Sequence, residues 1–339
     1  MKLEHEILSV RTKHPFTIAR GSASEFRVIW VRVTDRDGTE GWGESAPSRY
    51  YGESIEMSVA AMKELAPIVA RWDGWALESV EEEMNRLLRG VGAAKSAVSA
   101  ALHDLVGKRL GVPLWKLWGL DPSRAPLSSF TIGIAGKEEL EQKVREAADF
   151  PALKVKLGTD RDEEIITTVR DCAPDKILRV DANAAWTAKR ALRMIPLLAE
   201  LGVEFVEQPL PGDDLTGLRF VRERSKLPII ADESCVNTKD VARLVGVVDG
   251  INIKLAKCGG LREALKMISI ARAHEMLVMM GCMIETSLGI TTAAHIAPLL
   301  DYADLDGATL LARDPFVGAT IDRGEITLPD APGLGVRRA

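Results

Sequence analysis

From about residue 126 onward, apolar and polar positions follow a regular rhythm. Short β-branched runs recur as "LSSFTIGI", "ALKVKLG", "ILRVDAN", "EFVEQPL", "PIIADES", "GINIKLA", "MLVMMGC" and "DYADLDG", with starts roughly 22 to 27 residues apart. That spacing is the length of a strand, a loop, a helix and a return loop. The intervening segments "KRALRMIPLLAELG" and "GLREALKMISIARAHE" carry apolar residues at helical spacing. Eight strands alternating with helices predict a parallel barrel of the (β/α)8 type. An open doubly wound sheet would need a glycine-rich phosphate turn, and no GxGxxG opens a helix here.

Residues 1–125 have a different texture. "FRVIWVRVTDRDGTEGWGES" alternates apolar and polar residues around a DG turn, which predicts antiparallel strands. Helical segments follow in "ESIEMSVAAMKELAPIVARW", "LESVEEEMNRLLRG" and "AAKSAVSAALHDLVGKRLG". Strands followed by a run of helices describe a separate α+β domain. The barrel then occupies residues 126–319, and residues 320–339, which lack a barrel helix, are expected to return to the first domain.

Composition narrows the function. The 339 residues carry a net charge of −5 and no dense basic stretch, which argues against a nucleic-acid surface. No apolar segment reaches spanning length, and the start "MKLEHEILSV" has no long apolar run, so neither a membrane protein nor a signal peptide is expected. Cys172, Cys235, Cys258 and Cys282 are scattered without a CxxC pair, as in a reduced, cytoplasmic chain. A homo-oligomer is left open.

The chemistry lies at the carboxyl ends of the predicted strands. Lys154 and Lys156 share one face of strand two, because strand side chains alternate. Strand three ends in Asp181 and Asn183, strand four in Glu207 and strand five in Asp232. Strand six carries Lys254, strand seven is followed by Glu285, and strand eight bears Asp304 and Asp306. In such barrels the active site is built from these ends. Three carboxylates from consecutive strands suit Mg²⁺, with Mn²⁺ as a substitute. A bound cation and an anionic substrate would give the lysines partners, so they are expected to point inward. Lys154, as a like charge, is expected to lower the pKa of Lys156 and fit it as a base. Lys254, four strands away in a ring of eight, would face it across the barrel. That is a geometry for moving a proton between the two faces of a carbon.

These residues resemble the enolase superfamily, in its muconate-lactonising-enzyme-like subgroup. The likeness covers almost the whole chain, through "GWGES", "ALHDLVGKRLGVPLWKLWG", "KVK", "DAN", "EQP", "ADES" and "IKLAKCGG". It implies a (β/α)7β modified TIM barrel with an N-terminal α+β capping domain. It also implies Mg²⁺ on Asp181, Glu207 and Asp232, acid/base lysines Lys156 and Lys254, and an enediolate intermediate.

Within the subgroup, "GCMIETSLGI" followed by "DLDG" is similar to the dipeptide epimerases of the L-Ala-D/L-Glu type. There the acids of the D-x-D pair, here Asp304 and Asp306, hold the α-ammonium of the dipeptide. Two acids on one strand face suit an ammonium better than a neutral acyl group. The loop "ARGSASEF" resembles the capping-domain loop of those enzymes, with Ala23 where some glutamate-specific members carry a second arginine. Arg20 and Arg49 remain as partners for a side-chain carboxylate. The expected activity is a Mg²⁺-dependent dipeptide epimerisation. An N-succinylamino acid racemase or o-succinylbenzoate synthase is the enzymatic alternative, and a catalytically silent ligand-binding barrel the alternative of another class.

Overall fold

The computed structural model describes residues 1–339. The chain opens with three antiparallel strands, β1 (Lys2–Ile18), β2 (Gly21–Thr34) and β3 (Glu40–Ser45), joined in that order. The segment "ARGSASEF", read above as a loop, is the tip of the β1–β2 hairpin. Only Ala19 and Arg20 turn, and strand pairing runs out to Ile18 and Gly21. Strand β1 itself escaped the sequence reading, because its exposed alternation is interrupted where the register slips between Arg11 and Phe16.

Three helices follow, α1 (Ile55–Arg71), α2 (Leu77–Leu87) and α3 (Gly92–Leu110). Helix α3 is buried along its length from Gly92 to Gly107, which explains its run of Ala, Ser and Gly. It lies so close to β3 that a Cβ on Gly41 or Gly43 would run into the carbonyl oxygens of Ala101 and Ala97. The glycines of "GWGES" are therefore there for this approach. Ile29, Val31 and Val33 from β2 meet Leu65 of α1 and Leu102 and Leu105 of α3 in the domain's own core.

The barrel is formed by β4 (Phe130–Ile132), β5 (Ala152–Lys156), β6 (Ile177–Asp181), β7 (Val203–Glu207), β8 (Ile229–Ala231), β9 (Gly250–Ile253), β10 (Leu277–Gly281) and β11 (Tyr302–Asp304). All pair in sequence order and in parallel. The ring closes where Ser128 bridges Ala303 and Ser129 N donates to the Ala303 carbonyl at 3.0 Å. Each of the first seven strands is followed by a helix, and β11 is not. The architecture is thus a (β/α)7β barrel under an α+β cap.

Strand alternation sorts the barrel residues. Leu153 and Val155 of β5 join the apolar layer beneath the surrounding helices, and Lys154 and Lys156 take the opposite face. Phe205, Ile230 and Met279 form a separate small apolar cluster. Beyond β11 the chain turns back along the cap. Leu311 bridges Thr12, Phe316 packs edgewise on Trp30 at 5.5 Å, and Leu334 N donates to Asp104 on α3 at 2.7 Å. No helix is long and apolar enough to cross a membrane.

Candidate active site

The parallel register sets Lys156 beside Asp181, and Asp181 beside Glu207. One step further round, Asp232 follows the end of β8. One oxygen from each of Asp181, Glu207 and Asp232 lies within 4.8 Å of the others, and all three residues are buried. Buried carboxylates repel one another and need cations. Lysines supply part of that charge. Lys156 donates to Asp181 Oδ2 at 2.7 Å, and Lys254 to Asp232 Oδ2 at 2.9 Å. Lys154 sits 2.6 Å from Glu207, 2.7 Å from Asp304 and 3.6 Å from Asp181.

The electrostatics follow from these contacts. Burial alone would lower the pKa of Lys154, yet Asp304, Glu207 and Asp181 hold it well above the ordinary lysine value. Burial also opposes the charge on Lys254, and Asp232 and Glu207 raise it nonetheless. Asp232 is held below the usual carboxylate range against its burial by Lys254 and Lys257. Glu207 is pushed up to about 7, by burial and then by Asp181. Lys154 is therefore no bare like charge acting on Lys156, as the sequence suggested. Three carboxylates compensate it.

The donor set fits a hard divalent cation, being three carboxylates that leave room for water and substrate oxygens. Glu207 Oε2 faces the Lys154 ammonium without a well-aligned hydrogen bond, and the buried Asn183 Oδ1 has no partner. Asp181 is itself held by Asn183, which donates from its backbone at 2.8 Å and its side chain at 3.1 Å.

Above this centre lies a cavity of about 690 Å³ between the hairpin tip and the barrel mouth. Lys156, Lys254, Asn183, Asp304 and Asp306 line its floor, with Phe16 and Phe26 on the hairpin side. Asp304 accepts from Ser129 Oγ at 2.7 Å and from Lys154. Asp306 accepts from Thr131 N at 2.6 Å, and burial followed by its neighbour Asp304 raises it to about 7.

Residues 2–119 match the N-terminal domain of the mandelate racemase / muconate lactonizing enzyme family, and residues 137–338 match the enolase C-terminal domain-like family. The chain belongs to the mandelate racemase / muconate lactonizing enzyme family. It is 42% identical over 340 residues to an L-Ala-D/L-Glu epimerase of Bacteroides thetaiotaomicron, covering 100% of this chain and 88% of that protein. Among solved structures it resembles a dipeptide epimerase from Enterococcus faecalis complexed with Mg and L-Leu-L-Tyr, at TM-score 0.94 and 34% identity over 99% and 98% of the two chains. An N-succinyl Arg/Lys racemase from Bacillus cereus superposes at the same TM-score of 0.94, with 26% identity over 100% and 96% of the chains. With full-length relatives that are epimerases, the chain is an isomerase of the racemase and epimerase kind. The three carboxylates of this chain are a donor set suited to the Mg that the Enterococcus faecalis structure holds.

One residue singled out from the sequence stands elsewhere, and another is already engaged. Glu285 does not line the cavity. It lies against Glu44 of β3 and accepts from Met283 N at 2.8 Å, because the chain leaves β10 toward the cap. Arg20 does reach the cavity, but its guanidinium is already engaged. It donates to the buried Glu233 at 2.7 Å and to the Asn183 carbonyl at 2.8 Å, and it stacks on Tyr50. Arg49 lines the cavity with no ion-pair partner, whereas Arg27 pairs with Glu56.

Several supporting residues went unread. Lys257 is buried and donates to Asp232 Oδ1 at 2.5 Å, the Asp232 carbonyl at 2.7 Å and the Asn252 carbonyl at 2.9 Å. Asn252 in turn donates to Glu207 Oε1 at 2.8 Å. In sequence Lys257 stands three residues after Lys254, one turn along a short helix and within the run "IKLAKCGG".

Proposed function

We propose that the chain is a dipeptide epimerase that inverts the α-carbon of the C-terminal residue by moving a proton between Lys156 and Lys254. The observation that carries this reading is the opposition of the two lysines. They come from β5 and from the end of β9, strands four apart in a ring of eight, and both ammonium-bearing side chains line the same cavity. A substrate α-carbon between them meets one lysine on each face. One takes the proton and the other returns it on the opposite side, which is 1,1-proton transfer.

Removing that proton places negative charge on the adjacent carboxylate. Mg²⁺, when held by Asp181, Glu207 and Asp232, supplies Lewis-acid stabilisation of that charge. Lys154 adds a fixed positive charge beside the same carboxylates. Its three acid partners keep it protonated, so its part is electrostatic.

Asp304 at the end of β11 and Asp306 just beyond it support a dipeptide over an N-acyl amino acid. Asp306 lines the cavity with no cationic partner, and a free α-ammonium would supply one. Asp304 stands beside it. An N-succinyl group brings a neutral amide and a further carboxylate but no cation, so it would leave Asp306 unpaired, although the racemase from Bacillus cereus shares the fold. Arg49, free of any acid, is the group of the cavity wall placed to meet a carboxylate side chain on the substrate.

The test is a library of dipeptides and N-acyl amino acids incubated in D₂O with Mg²⁺ and read by mass spectrometry. Free dipeptides should exchange the α-proton of their C-terminal residue, with acidic ones lost first in Arg49→Ala. An N-acyl amino acid that outperforms every free dipeptide would sink the reading.

A further inference from the structure

Gln208 follows the carboxylate ligand Glu207 directly, and its backbone holds φ +33°, a conformation that residues with a side chain rarely adopt. All four hydrogen-bonding positions of its carboxamide are used. Oε1 accepts from Asp232 N at 2.9 Å and Ser234 N at 3.1 Å. Nε2 donates to the Leu210 carbonyl at 2.7 Å and to Ser234 Oγ at 2.9 Å. The two backbone donors on one side fix which end is oxygen, since a reversed amide would set NH₂ against N–H.

The main chain of the same residue ties the third strand. Gln208 N donates to the Ile230 carbonyl on β8 at 2.8 Å, and its carbonyl accepts from Ala184 N, beyond Asp181, at 2.8 Å. One fully buried residue is thus bonded to the segments that carry Asp181, Glu207 and Asp232. No other contact in the site joins all three ligand-bearing strand ends through one side chain and its own backbone.

We infer that Gln208 is a positioning residue for the metal site, setting the spacing of the three carboxylates through its carboxamide. The strained backbone aims the side chain sideways along the strand ends, where it fixes the main chain of Asp232. Without it, Asp232 keeps Lys254 and Lys257 but loses the tie that registers it against Glu207. A carboxylate left free to move binds a small cation of strict geometry less well. The inference rests on the assignment of Asp181, Glu207 and Asp232 as metal ligands.

The experiment is calorimetric titration of Mg²⁺ into the metal-free full-length protein, for wild type, Gln208→Met and Ser234→Ala, alongside thermal melts of each without metal. Gln208→Met should weaken Mg²⁺ binding by about 10- to 100-fold, as removal of groups that orient metal ligands does. Its kcat should climb back toward the wild-type value as Mg²⁺ is raised to saturation. Ser234→Ala, which removes one partner of the carboxamide, should weaken binding by a smaller factor. If the variants melt earlier yet bind Mg²⁺ as tightly as wild type, Gln208 is only a cross-link between strands and the inference is overturned. Should Gln208→Met not fold, unchanged affinity in Ser234→Ala overturns it equally. A wild-type protein that binds no Mg²⁺ would overturn the metal site itself, and this role with it.

Discussion

Lys154 donates to Asp304 at 2.7 Å, linking β5 to β11 across the intervening β4. The two acids of the D-x-D pair are therefore unequal, since Asp304 already holds a cation and Asp306 does not. Asp306→Asn should lower kcat/KM for a free dipeptide about ten- to a hundredfold, the effect of losing a charge-assisted hydrogen bond of roughly 1.5–3 kcal/mol. It should leave the N-acetylated dipeptide almost unchanged. Asp304→Asn strips a partner from a buried ammonium and should impair both substrates alike. Paired kcat/KM values for the two substrates check this, and equal losses in both variants would contradict it.

Asp306 also predicts a pH dependence. Burial, and then Asp304, raise it to about 7, so below that pH it is a neutral acid with no charge to offer an ammonium. KM for a free dipeptide should fall as pH rises from 6 to about 7.5, before the substrate's α-amino group, at about 7.7–8.0, loses its own proton. Asp306→Asn should flatten that limb. A wild-type KM that rises over this interval would show that the acid does not bind the ammonium.

Metal removal gives a simpler outcome. Asp232→Asn leaves Lys254 and Lys257 with a neutral partner in place of a carboxylate. The variant should fold and lose Mg²⁺ binding, measured by calorimetry, and EDTA should abolish wild-type turnover. Full activity after chelation would refute the metal role.

The barrel was legible because each strand announced itself by apolar β-branched runs at a steady interval, and the candidate site because acids and lysines recur at successive strand ends. Lys154, Lys156, Asp181 and Glu207 could be read in order for that reason. What stayed hidden depends on contacts between segments distant in sequence. Arg20 looked free until Glu233, 213 residues later, proved to hold it. Glu285 sat at a strand end like the others, but the direction in which the chain leaves β10 carries it to the cap. Lys257, Asn252 and Gln208 are ordinary polar residues in sequence. Gln208 and Lys257 fall within the runs "EQP" and "IKLAKCGG", but what each of the three holds in place is visible only in its buried hydrogen bonds.

The two opposed lysines predict a stereochemical split. Lys156→Ala and Lys254→Ala should each abolish epimerisation, because one face loses its proton carrier. Each should still exchange the α-proton of the single epimer that faces the surviving lysine. NMR or mass spectrometry of L- and D-configured dipeptides in D₂O measures it. Equal exchange of both epimers by either variant would contradict the two-face assignment.

Glu44 and Glu285 give the last prediction, at the seam between cap and barrel. Both carboxyls crowd the space over Gly289, where a Cβ would strike each of them. Glu44 accepts from Thr286 N at 2.9 Å, so the cap strand β3 is bonded to the chain that leaves β10. Burial, and then Glu285, push Glu44 up to about 8, while burial pushes Glu285 up to about 7. Asp314 adds to the pressure on Glu44, and Lys254 partly relieves Glu285. Both folded values exceed the unfolded carboxylate range, so between about pH 4.5 and 8 the native state binds more protons than the unfolded chain. Stability must then fall as pH rises through that window. For Glu285 alone the loss is on the order of 3 kcal/mol, at 1.36 kcal/mol per pKa unit, and less where the two acids share one proton. Glu285→Gln keeps the shape and removes the charge, so denaturation of the metal-free variant should depend less on pH than that of wild type. Urea midpoints at pH 5.5 and 8.5 measure the two slopes. Parallel slopes would mean that this pair does not titrate across the seam.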